Sequence, residues 1–63
     1  MKCYLRERRM ERHLTQKELA ELSGIAQPRL SRYEQNHETP SLEIALKIAR
    51  ALNCPVEDIW IAE

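Results

Sequence analysis

The chain has 63 residues, with ten basic and ten acidic side chains that cancel to a formal net charge of zero. That length allows one domain with a small core, marginally stable unless compact or paired. No apolar run approaches the roughly 18 residues of a membrane span. The start does not fit a signal peptide, because its apolar segment is broken by Arg6, Glu7, Arg8 and Arg9. A cytoplasmic location is expected, with Cys3 and Cys54 as reduced thiols in buried or half-buried packing positions. Their spacing fits no metal pattern, and His13 and His37 lie at no useful interval from them.

The charge is unevenly spread. Residues 1–36 hold eight Lys or Arg against five Glu, a net +3, and residues 37–63 hold two against five acids, a net −3. Such a dipole orients a protein on phosphates, although the net attraction is modest.

Five helices are predicted in chain order. The first runs from about Lys2 to Arg12, with Leu5 and Met10 inward. The second, about Gln16 to Ser23, opens on Thr15 and Glu18 at the spacing of a capping box. Leu19 and Leu22 share its inner face, and small Ala20 admits a close helix crossing. Gly24 falls where a left-handed helix end is needed. Ile25 anchors the turn, and Pro28 sits in the first turn of a third helix, about Gln27 to Gln35. Asn36 to Glu38 form a polar loop. Thr39 and Pro40 read as a cap followed by proline at the first helical position of a fourth helix. That helix reaches about Leu52, with Leu42, Ala45, Leu46, Ile48, Ala49 and Leu52 as its apolar set, and Asn53 is a plausible left-handed end. Pro55 opens a last short helix with Val56, Ile59 and Trp60 on its apolar side. The implied core is Leu5, Leu14, Leu19, Leu22, Ile25, Leu30, Tyr33, Ala45, Ile48, Ala49, Leu52, Val56 and Ile59. No internal repeat or second domain is visible, so residues 1–63 read as a single domain.

Two short helices joined by a tight glycine turn form a helix-turn-helix, whose second helix can sit in the DNA major groove. At about 100° per residue, with Leu30 inward, Ala26, Tyr33 and Glu34 lie within about 60° of it. Pro28, Ser31, Arg32 and Gln35 lie opposite, on a short polar face free of acids and flanked by Gln27 and Arg29. Gln27, Pro28, Ser31 and Arg32 are therefore the candidate base readers. Arg matches guanine O6 and N7, Gln matches adenine N6 and N7, and the proline ring fits a thymine methyl. Glu34 is too far inward to be left unpaired cheaply.

The stretch resembles the phage repressor and Cro type of helix-turn-helix domain. The shared pattern is Leu14-Thr15-Gln16, Glu18-Leu19-Ala20, Gly24, Leu30-Ser31-Arg32 and Glu34, then Pro40-Ser41-Leu42, Lys47-Ile48-Ala49 and Ala51-Leu52, from about Leu5 to Trp60. The resemblance implies an all-α, lambda-repressor-like bundle with the helix-turn-helix in helices two and three. It implies that Gln16 contacts a DNA phosphate, with Thr15, Lys17, Arg29, Asn36 and His37 completing a backbone clamp. It also implies an ion pair between Arg9 and Glu34. Two positions depart from the family pattern. His13 stands where Gly is usual, so the turn before Leu14 carries some strain. Ala26 stands where Ser or Thr usually caps the recognition helix, which forfeits roughly 1 kcal/mol.

The expected function is sequence-specific binding of double-stranded DNA by a small transcriptional regulator, a repressor acting as a homodimer. Trp60 and Ile61 are the expected dimer patch, being more apolar than a free tail needs. The competing reading is a protein-binding module built on the same fold, such as an antitoxin or anti-repressor component, served by the acidic second half. No nucleophile-base pair, metal cluster or phosphate-cradling glycine loop is present, so neither an enzyme nor a cofactor is expected.

Overall fold

The computed structural model describes all residues from Met1 to Glu63. A strand β1 (Lys2–Cys3) is followed by helices α1 (Leu5–Glu11), α2 (Gln16–Ser23), α3 (Gln27–Glu34) and α4 (Leu42–Leu52). A single 3-10 turn at Val56–Asp58 and a strand β2 (Trp60–Ile61) complete the chain. The helical class stands, but the predicted count of five helices does not: there are four, and the two ends of the chain pair as an antiparallel ribbon. Lys2 faces Ile61 and Cys3 faces Trp60.

The ribbon explains why the first helix starts later than its apolar pattern suggests. Lys2 and Cys3 are held in the strand, and Tyr4 N–H donates to the Ile59 carbonyl at 2.7 Å. The helix begins at Leu5, which is fully buried. With Leu5 inward, the residue one turn later, Arg9, also points inward, and Met10 turns out to 56% exposure. The predicted inward Met10 is thus corrected by the register that Leu5 imposes.

In α2 the local signals act as expected. Thr15 Oγ1 accepts from Glu18 N–H at 3.0 Å, and Glu18 Oε1 accepts from Thr15 N–H at 2.8 Å. The helix ends on Gly24 at φ 74°, ψ 13°. Leu22, however, is 63% exposed, and Ser23 takes the inward place one turn after Leu19. The buried hydroxyl is satisfied, donating to the Leu19 carbonyl at 2.7 Å and accepting from Ile25 N–H at 3.2 Å. A small polar group that bonds to its own turn costs little to bury.

Helix α4 starts two residues later than predicted. Ser41, extended at ψ 163°, is the cap: its Oγ accepts from Ile44 N–H at 3.3 Å, and Pro40 lies outside the helix. Of its apolar set, Ala45, Ile48, Ala49 and Leu52 are buried, and Leu42 and Leu46 face out. Asn53 ends it in the left-handed region at φ 55°, as expected. Arg12 adds a second cap, its Nε donating to the Leu52 carbonyl at 2.7 Å and its Nη2 to the Asn53 carbonyl at 3.2 Å. The predicted final helix is only the 3-10 turn, because β2 pairing claims the backbone after Ile59.

One core joins Leu5, Leu19, Ile25, Leu30, Tyr33, Ala45, Ile48, Ala49, Leu52, Ile59 and Trp60. Leu14, Val56, Cys3 and Cys54 pack on it half-buried. Trp60 is mostly part of this core, with a remnant of its surface open beside Leu42 and Val56. Of the two residues of the expected dimer patch, Ile61 is exposed and Trp60 is mostly buried.

Candidate nucleic-acid interface

The geometry of α3 follows from what it buries. Leu30 and Tyr33 lock its inner face into the core, leaving Gln27, Pro28, Arg29, Arg32 and Gln35 exposed and Ser31 half-buried. The helix starts from Ala26, whose side chain makes no cap, with Pro28 in the first turn. The four candidate base readers therefore share an exposed surface on one helix. Ser31 Oγ accepts from the Gln35 amide at 3.0 Å, which fixes the hydroxyl on that face.

Beneath the face lies a bonded charge cluster. Arg9 Nε donates to Glu34 Oε2 at 2.7 Å and Arg9 Nη2 to Glu34 Oε1 at 3.2 Å. The two side chains are 13% and 5% exposed, so the pair expected from Glu34's inward angle is a buried bidentate one. Arg9 Nη1 also donates to the Leu14 carbonyl at 2.7 Å, tying α1 to the turn before α2. The Gln16 amide donates to Glu34 Oε1 at 3.1 Å. Gln16 is thus held by a carboxylate, and the second N–H of its amide has no partner. Because the box engages Thr15 and Glu18, the backbone N–H groups of Gln16 and Lys17 are the free donors at the α2 start.

The other clamp candidates are exposed: Thr15, Lys17, Arg29, Asn36 and His37. Asn36 turns the chain in the left-handed region at φ 59°, and its amide donates to the Met1 carbonyl at 3.4 Å. His13 does the same before α2 at φ 57°.

One neighbour was not foreseen. Glu38, from the loop after α3, places its two oxygens 3.8 Å from Arg29 Nε and 3.9 Å from Arg32 Nη1. The face is free of acids within α3 itself, but not in the fold. Angles along one helix carry no information about the loop that returns beside it.

Residues 5–59 match the family model described as helix-turn-helix. The chain belongs to the helix-turn-helix family. It is a DNA-binding domain of the phage repressor and Cro type, a family of transcription regulators and not of enzymes. A protein named an uncharacterized HTH-type transcriptional regulator from Methanothermobacter thermautotrophicus is 42% identical over 64 residues, covering 100% of this chain and 93% of that one. A second of the same description, from Archaeoglobus fulgidus, is 38% identical over 61 residues, covering 97% and 86%. Among solved structures, the restriction-modification controller protein C.AhdI from Aeromonas hydrophila superposes with a TM-score of 0.83 at 34% identity, covering 89% of this chain and 85% of that one.

Proposed function

We propose that this helix-turn-helix protein binds a specific double-stranded DNA site in the cytoplasm and represses transcription from it as a homodimer. The observation that carries the reading is the division of α3: one face is locked into the core by Leu30, Tyr33 and the Arg9–Glu34 pair, and the other offers Gln27, Pro28, Ser31 and Arg32 to solvent. Repression needs no more than occupancy of a site that polymerase must use. Dimerisation follows from the economy of the reader: one short helix covers a few base pairs, and a two-fold pair sets two such helices about 34 Å apart on successive turns. An open apolar groove of about 240 Å³, lined by Met1, Thr39, Pro40, Leu42, Ala45, Val56 and Trp60, supports a second copy as the partner, with exposed Ile61 following Trp60.

Selection from random duplexes with the purified protein, followed by titration across salt and sedimentation with and without DNA, tests this. A two-fold motif, a steep loss of affinity as salt rises and a two-to-one complex are expected. Leu42→Glu should weaken self-association without unfolding the chain, because an acid at the first position of α4 suits the helix dipole. No enriched motif together with salt-insensitive behaviour would favour the protein-binding module instead.

A further inference from the structure

Glu38 is the one acid that meets the outward face of α3. It arrives there because Asn36 reverses the chain: Asn36 N–H donates to the Tyr33 carbonyl and His37 N–H to the Arg32 carbonyl, each at 3.0 Å. The following loop then runs back along the helix. Arg29 and Arg32 stand three residues apart, as neighbours on the helix surface, and Glu38 lies between them with one oxygen toward each. The side chains are 53%, 70% and 33% exposed for Arg29, Arg32 and Glu38, and both contacts are near the outer limit of an ion pair. Pairs this open and long contribute little to stability. Their consequence lies in what they leave free.

Glu38 approaches Arg32 at Nη1. The opposite edge of the guanidinium, Nε with Nη2, stays unpaired, and such an edge provides two parallel donors for guanine O6 and N7. The same carboxylate adds a negative charge beside the path that DNA phosphates must take. It therefore opposes complexes in which the two arginines serve only as point charges. We propose that Glu38 is a specificity-determining positioning residue, one that orients Arg32 for base contact and penalises sequence-independent contact with phosphate. This rests on the reading that Arg32 contacts a base.

The test titrates wild type, Glu38→Gln, Arg32→Ala and the double variant against the selected duplex and a random-sequence duplex of equal length. Removing the charge should tighten binding to the random duplex by about 3–10-fold at low salt, an effect that salt screens. Binding to the selected duplex should gain less or weaken, so that discrimination falls. In the Arg32→Ala background Glu38→Gln should no longer change discrimination. Glu38→Asp separates the two effects: the charge remains, so random-duplex affinity stays at the wild-type level, and the shorter reach lowers affinity for the selected duplex. Equal shifts on both duplexes for Glu38→Gln would overturn the proposal and leave Glu38 as a repulsive charge only. If Arg32→Ala alone leaves base preference intact, the reading of Arg32 itself fails, and that outcome is visible without any Glu38 variant.

Discussion

Arg9 and Arg12 lie three residues apart at the end of the first helix, and both use their guanidinium to hold another element in place. Their environments set different costs. Arg9 is nearly enclosed with Glu34, and deleting it strands a buried carboxylate and the Leu14 carbonyl. Arg9→Ala should lower stability by about 3 kcal/mol, the scale of breaking a buried pair from one side. Arg12 is exposed and bonds only the carbonyls at the end of α4, so Arg12→Ala should lose about 1 kcal/mol. Arg6, exposed, should lose less than about 0.5 kcal/mol. Denaturant titrations followed by Trp60 fluorescence measure all three, and equal losses for Arg9 and Arg6 would contradict the buried pair. Glu34's need for a partner was legible from its angle on α3. The capping role of Arg12 was not, because it spans forty residues of sequence and leaves no mark on local periodicity.

At the scale of elements, α2 was legible to the residue, because its start and stop are set by side chains within it: Thr15 with Glu18, and Gly24. The β1–β2 ribbon was not legible. Two-residue strands show no alternation, and their partner lies at the other end of the chain. Leu22 was misplaced because an apolar residue at helical spacing reads as core, whereas the inward position went to a serine that bonds within its own turn. The start of α3 lacks a side-chain cap. Ala26 has no side-chain oxygen, but its carbonyl accepts from Arg29 N–H at 3.0 Å and Leu30 N–H at 3.1 Å, and Pro28 has no N–H to cap. Ala26→Ser should therefore add less than about 0.5 kcal/mol, below the usual gain of a new cap, and raise the melting temperature by no more than roughly 2–4 °C. A gain of about 1 kcal/mol or more on thermal melting would contradict a helix start already satisfied by the Ala26 carbonyl and Pro28.

At the scale of the whole molecule, the core, the turn and the network of Arg9, Glu34 and Gln16 hold one helix at the surface with its polar face outward. The basic first half of the chain carries that face and the acidic second half supplies α4 and the ribbon strand. The outward direction of α3 was legible from its own periodicity. The acid beside it and the strand pairing of Trp60 with Cys3 depend on how distant segments return, and were not. A titration of Arg32→Ala against the selected duplex and its single-base variants tests most directly whether this face reads bases. The variant should lose about 1–3 kcal/mol on the selected site and relax preference at one base position in each half-site. A uniform loss across all duplexes, with base preference unchanged, would contradict the assignment of α3's outward face as the reader.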